Sequence, residues 1–311
     1  MNKTTRSILK AIHPASLILS GGAVMGGLTA SVIRGGISVF PAIMTLLFAI
    51  LLQISANLYH SYFHLCYSGG DRLKGLRTHD SKIANSPEVA IYRIVANSFA
   101  ILALTAGMSL FTFIGWIGMG YVVVISVMYY FYFMGPNPLV RTRWSLIFTF
   151  LFFGPIAVSG TALIQNLTNP DWLPIAVYSV INGMLAVNAH IAIQYMHYEE
   201  DKKNNYETLV TAKGGSFSRF VYFGNAAIVC IVLIIRPSAV EYVSPWVGII
   251  IGICLLVSSI WVFSMMHRNP VNVSKLIRSV TLWQYLTVVI VLMAIVMYSV
   301  DHFRVNVFHF L

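Results

Sequence analysis

Charge is scarce in this sequence. Asp, Glu, Lys and Arg together make up 10% of its 311 residues, against about 25% in an ordinary soluble domain, too few to clothe a water-exposed surface. Cysteine is rarer still. Cys66, Cys230 and Cys254 are widely spaced, which excludes a disulfide framework and a thiolate metal cluster and leaves them as small packing residues. Acids are the rarer sign, 10 Asp and Glu against 20 Lys and Arg, a formal net charge of +10. The excess does not point to nucleic acid, because the basic residues flank apolar runs and form no stripe interleaved with aromatics.

What the chain has in quantity is apolar surface, 58% of its residues. Runs of about 20 residues with almost no charge recur from end to end, the length a helix needs to cross about 30 Å of hydrocarbon. They predict an all-α polytopic membrane protein of about nine spans. The predicted spans are Ala15–Ile33, Val39–Tyr59, Val89–Leu110, Ile114–Phe133, Trp144–Gln165, Leu173–Gln194, Phe217–Ile235, Val243–Phe263 and Ser279–Val300. The first run follows Lys3, Arg6 and Lys10, as a signal peptide would. It is long and has no convincing small-residue cleavage site, so it is read as a retained span. With the N-terminus cytoplasmic, 17 of the 20 Lys and Arg residues fall inside, and only Arg34, Arg236 and Arg304 fall outside. An odd number of spans then places the C-terminus outside.

Two predicted inner loops, Ser61–Glu88 and His197–Ser216, are long and charged. They hold or adjoin seven of the ten acids: Asp71, Asp80, Glu88, Glu199, Glu200, Asp201 and Glu207. Each follows a span ending in polar residues at helical spacing, which suggests a weak internal repeat. Asn57, His60, Ser61 and His64 share one helix face, as do His190, Gln194, His197 and Asp201. Facing lipid, such groups would be costly, so the two stripes are expected to line a shared cavity. Isolated intramembrane amides such as Gln53 and Asn182 are expected to hydrogen-bond between helices.

The stretch FMGPNPLVRTRWSLIFTFLFFGPIAVSGTALIQ, from Phe133 to Gln165, resembles the fourth-to-fifth-span region of the UbiA superfamily of intramembrane prenyltransferases, in its menaquinone-pathway branch. The likeness is carried by Tyr132, Gly135, Pro136, Pro138, Leu139, Phe152, Phe153, Gly154, Pro155, Gly160 and Thr161. LLQISANLYHSYFHL and YEEDKKNNYETL resemble the second-span end and the sixth-span loop of that branch, so the resemblance covers most of the chain. It implies one domain, 1–311, a ring of nine helices around a central cavity. It also implies residence in a bacterial cytoplasmic membrane and transfer of a polyprenyl group from its diphosphate to an aromatic acceptor such as dihydroxynaphthoate. Mg²⁺ held by Asp residues of two motifs would bind the diphosphate.

By the same resemblance Asp71, Glu200 and Asp201 are candidate catalytic residues, with Asp71 and Asp201 as metal ligands. Arg72, Lys74, Arg77, Lys202 and Lys203 would neutralise the diphosphate, while Asn57, Ser61, His64, Tyr132 and His197 would line the substrate cavity. The motifs themselves are altered. The family's paired aspartates of the first motif fall on Ser61 and His64, the leading aspartate of the second on His197 and its preceding arginine on Met196. His13 stands where an arginine precedes Pro14. Imidazole suits zinc, iron or copper better than Mg²⁺. Two alternatives therefore stand beside the transferase: a relative that binds a quinone or isoprenoid lipid without transfer, and a histidine-based transition-metal or haem protein.

Overall fold

The structure, a computed structural model, describes residues 3–32, 37–66, 86–133, 138–166, 169–203, 205–235, 245–268 and 270–302. Among them nine helical segments are long and apolar enough to cross a bilayer. Their outward faces are largely apolar: Trp116 is 78% exposed and Trp246 69%. Only lipid accommodates that much exposed hydrocarbon.

A short amphipathic helix, α1 (Lys3–Ala11), precedes the first span. Between them His13 takes a left-handed φ of 49° and a 3-10 turn, Pro14–Ser16, redirects the chain into α2 (Leu17–Val32). Few non-glycine residues adopt that conformation. Ser16 secures it, donating its N–H (2.8 Å) and its hydroxyl (2.9 Å) to the His13 carbonyl. Then come α3 (Val39–Cys66), α4 (Pro87–Ser109) and α5 (Phe111–Phe133). The fifth span is α6 (Ser145–Leu151) and α7 (Ala157–Gln165) joined by a π turn over Phe152–Ile156. Pro155 has no N–H for the regular ladder, and the wider turn absorbs it without ending the span. The chain continues through α8 (Trp172–Met196), the short α9 (Tyr198–Lys203), α10 (Leu209–Ile235), α11 (Pro245–Arg268) and α12 (Pro270–His302).

α8 and α2 are the most enclosed spans, and α2 packs against α3, α7, α8 and α12. It can do so because it is lined with glycine. A Cβ on Gly27 would stand 2.5 Å from Thr161 Cβ and 2.6 Å from the Val158 carbonyl, and one on Gly26 would collide with the Asn182 side chain. Buried amides then tie the helices together. Tyr285 donates to Asn182 Oδ1 and to the Leu19 carbonyl, both at 3.0 Å, and Asn225 donates to Asn188 Oδ1 at 3.0 Å. The Tyr222 hydroxyl donates to Gln284 Oε1 at 2.7 Å. Asn182 is thus the interhelical partner expected of it.

The predicted inner loop His197–Ser216 is instead largely helical, holding α9 and the first turns of α10. Gly214, at φ 80°, breaks α10 inside that stretch, and the polar residues before Phe217 hide the early start from a reading of hydropathy alone. α12 likewise begins at Pro270, nine residues before the expected Ser279. Cys66 and Cys230 are buried free thiols and Cys254 an exposed one.

Candidate functional site

At the α9 end of the bundle the helices leave a cavity of about 170 Å³. α3 contributes Gln53, Ala56, Asn57 and His60, and α8 contributes Ala186, His190, Ile193, Met196 and His197. The two polar stripes therefore face each other, though the helices are not simple neighbours, since α2 packs against both. Their registers differ from the expected ones. Gln53, not Ser61, belongs to the α3 lining, and Ser61 turns its hydroxyl back to the Asn57 carbonyl at 3.1 Å. On α8, Gln194 points away: it is buried and donates to Ser145 Oγ of α6 at 3.2 Å. The polar face is wound toward His190 and His197 and away from Gln194.

Asn57 is a positioning residue. Its side-chain nitrogen donates to the Ile12 carbonyl and to Ser16 Oγ, both at 2.7 Å, and its oxygen accepts from Gln53 Nε2 at 3.0 Å. Gln53 Oε1 in turn accepts from Ser20 Oγ at 3.1 Å. This chain of bonds clamps the turn that carries His13, and His13 lines the cavity. The opposite wall is aromatic: Tyr129, Tyr132, Phe133, Phe148 and Phe152. The Tyr132 hydroxyl is held 3.1 Å from Thr149 Oγ1. From the last helix Arg278 reaches into the same space, donating to Met196 Sδ at 3.6 Å.

A second, apolar cavity of about 70 Å³ adjoins the first, and Leu52, Phe152 and Phe153 line both. Phe48, Val122, Ile125, Ala157 and Ile164 are among its walls. On the other side, Arg278 and His13 also line a shallow surface recess with Arg6 and Lys10 of α1. A basic mouth, a polar chamber and an apolar channel thus follow one another.

The loop residues are placed differently. Glu200, Asp201, Lys202 and Lys203 all lie on α9, beyond the cavity lining; Glu200 Oε2 meets His197 Nδ1 at 3.2 Å, and Lys202 Nζ stands 5.8 Å from the Tyr198 ring centre. Asp71, Arg72, Lys74 and Arg77 lie outside the described residues, as does the side chain of His64. Near the same end the α5–α6 connector is stitched to the α9–α10 connector by a β-bridge between Thr142 and Glu207, with the Arg141 guanidinium 4.7 Å from the Tyr206 ring centre.

Among the described residues the donor set does not fit Mg²⁺. That ion wants near-octahedral oxygen, chiefly carboxylate and water. Among the described residues the cavity is lined by four histidines and an arginine and by no carboxylate, and no three His, Cys, Asp or Glu side chains gather as ligands. For the alternative of a histidine-held transition metal or haem, His60, His190 and His197 line the cavity, while the side chain of His64 lies outside the described residues. Sequence reasoning missed Arg278, which carried no signal beyond being a cation beside a span, and it noted His13 only as a departure from a motif.

Comparison with known proteins gives this architecture a family. The chain matches the UbiA prenyltransferase family over residues 20–284. Among solved structures, a UbiA homologue from Archaeoglobus fulgidus bound to DMAPP and Mg²⁺ has a TM-score of 0.62 at 16% identity, covering 96% of this chain and 99% of that one. An apo UbiA homologue from Aeropyrum pernix K1 has a TM-score of 0.62 at 12% identity, with 90% and 97% covered. A digeranylgeranylglyceryl phosphate synthase has a TM-score of 0.60 at 16% identity, with 96% and 100% covered. At such identities the likeness is one of fold. No curated protein matches the sequence. With the family match covering most of its length and nine apolar helical segments to span the bilayer, the chain is an integral, multi-pass membrane protein belonging to the UbiA prenyltransferase family.

Proposed function

We propose that this chain, acting as one domain over 1–311, transfers a polyprenyl group from its diphosphate to an aromatic quinone precursor of the dihydroxynaphthoate kind, as in menaquinone-type biosynthesis. The observation that carries the proposal is the adjacency of a chamber bearing polar groups and an apolar cavity, with Leu52, Phe152 and Phe153 in the walls of both. An isoprenoid diphosphate has the same division. Family membership supports the proposal, and so does the A. fulgidus homologue with bound DMAPP. The mouth is taken to face the cytoplasm of a bacterium, with the N-terminus inside and the C-terminus outside, on the strength of the 17 to 3 division of basic residues.

In such a transfer the allylic C–O bond breaks and its electron pair leaves with the diphosphate. A ring carbon of the acceptor supplies the pair for the new C–C bond, and the displaced ring substituent departs. The faces of Tyr129, Tyr132, Phe148 and Phe152 would stabilise the allylic cation, and Arg278 the leaving diphosphate. The α9 group Glu200, Asp201, Lys202 and Lys203, and the loop residues Asp71, Arg72, Lys74 and Arg77, would act at the mouth. Membranes containing the protein, given radiolabelled polyprenyl diphosphate and dihydroxynaphthoate, should yield a prenylated aromatic product. Folded protein that yields none with any aromatic acceptor, with or without Mg²⁺, overturns transfer.

A second function, binding an isoprenoid or quinone lipid without transferring it, is favoured by one observation: the lining has no carboxylate among the described residues, and Ser61, at an aspartate position, spends its hydroxyl on its own helix. Restoring Ser61→Asp, His64→Asp and His197→Asp together should create turnover if the chamber is otherwise competent. A triple variant that still binds lipid and remains inert leaves the binding role.

A further inference from the structure

We propose that the chamber grips the phosphate head group of an isoprenoid lipid directly on the Arg278 guanidinium and neighbouring imidazole N–H donors, with no divalent metal between protein and phosphate. The proposal rests on the isoprenoid cavity described above and adds what meets the head group. Its first support is the sign of the lining. Among the described residues the lining holds one permanent cation, Arg278, together with the imidazoles of His13, His60, His190 and His197, and no carboxylate is part of that lining. A metal bridge needs acids on the protein side to hold the cation. Here a divalent cation would meet a guanidinium and imidazoles, whereas an anion would meet donors.

The second support is the state of Arg278. A guanidinium carries five N–H donors in a planar fork that matches phosphate oxygens two at a time. Among the described residues its hydrogen bond goes to the thioether sulfur of Met196 at 3.6 Å, a weak acceptor. Such an arginine, half-buried at the wall of a cavity, keeps most of its donors for a guest. The third support is position. Arg278 and His13 belong both to the chamber and to the recess that Arg6 and Lys10 line, so positive charge runs from the surface to the chamber wall. Beyond the chamber, past Leu52, Phe152 and Phe153, the walls are apolar and take a hydrocarbon tail. Among the described residues Glu200 bonds His197 Nδ1 from α9, outside the lining.

Phosphate on a hydrocarbon tail is also the chemistry of a phospholipid head group, so the test separates the two. The purified full-length chain, in nanodiscs of neutral phosphatidylcholine, is titrated with tritiated geranylgeranyl diphosphate in EDTA and again in excess Mg²⁺. The expected result is the same affinity in both. Geranylgeraniol, which has the tail and no phosphate, should compete at least about tenfold more weakly, or about 1.4 kcal/mol. Phosphatidylglycerol should not displace the label; displacement equal to that by unlabelled diphosphate assigns the site to phospholipid and overturns the isoprenoid head group. Arg278→Ala should weaken binding in EDTA by about tenfold or more, with Arg278→Lys retaining part of the loss. The phosphorus-31 resonances of the bound diphosphate in the unmodified protein should stay unmoved when Mg²⁺ is added, a readout that depends on no variant folding. Binding that appears only with Mg²⁺ overturns direct cationic capture and leaves the isoprenoid cavity standing. No binding in either condition overturns both.

Discussion

The side-chain nitrogen of Asn57, toward the C-terminal end of the second span, lies 2.7 Å from the carbonyl oxygen of Ile12, immediately before the left-handed residue His13. One amide on α3 therefore fixes the turn that brings an imidazole to the cavity wall. The residue stood in the sequence as a lining candidate; in the fold its hydrogen bonds are committed to holding the turn.

Replacing that amide tests the clamp. Asn57→Asp is nearly isosteric but cannot donate to the Ile12 carbonyl or, as a carboxylate, tolerate it nearby. It should cost about 1–3 kcal/mol, read as a lower melting temperature in detergent, and should weaken isoprenoid diphosphate binding as His13 loosens. Unchanged stability and binding would mean that the turn holds itself.

The apolar channel should act as a ruler for the tail. Ala157 lines it, and Ala157→Phe would occupy part of its volume of about 70 Å³. Each CH₂ kept out of the channel forfeits about 0.8 kcal/mol, so losing one isoprene unit should weaken binding by at least about tenfold. Competition by a series of prenyl diphosphates should show long chains penalised and short ones spared. An equal penalty at every length would place the tail elsewhere.

Close packing around α2 gives a prediction on stability alone. Gly27→Ala sets a methyl against the Val158 carbonyl and Thr161, and backbone does not yield as a flexible side chain does. A loss of about 1–3 kcal/mol is expected, with a greater one for Gly27→Leu. Thermal unfolding followed by circular dichroism measures it, and a neutral Gly27→Ala would show that α2 can shift outward.

Tyr222→Phe isolates one buried network whose members stand outside the chamber lining. It removes the hydroxyl that Gln284 Oε1 and Thr281 share, leaving an unsatisfied amide oxygen between helices. About 1–3 kcal/mol of stability should go while the affinity for isoprenoid diphosphate stays as it was. A change in affinity without a change in melting temperature would contradict this division.

Orientation is open to a direct check. A membrane-impermeant thiol reagent added to intact cells should not label a cysteine placed at Lys203, on the exposed side of α9, and should label it after lysis. Labelling in intact cells would reverse the topology.

The spans and their order were legible because a helix in lipid must be about 20 apolar residues long whatever surrounds it, and composition records that length. Facing polar stripes were legible at the level of helix, since a period of 3.6 residues puts Asn57 and His60, or His190 and His197, on one side. What periodicity leaves open is which flank of the stripe points inward. Gln194 left the lining and Gln53 joined it while keeping its expected interhelical bond, because the rotation of each helix is set by its packing, on Ser145 in one case and beside Ser20 in the other. The polar start of α10 escaped for a related reason, as a span can continue beyond the hydrocarbon without an apolar signal.

The sequence by itself determined that this chain is a membrane bundle and that its two polar stripes carry asparagine, serine and histidine, because hydrophobic length and residue type are local properties. Only the tertiary structure decided that Arg278, 82 residues beyond Met196, closes the same chamber, and that this guanidinium shares its lining with four imidazoles. Charge in a cavity is a sum over side chains from helices distant in sequence, and that sum exists only once the helices have packed.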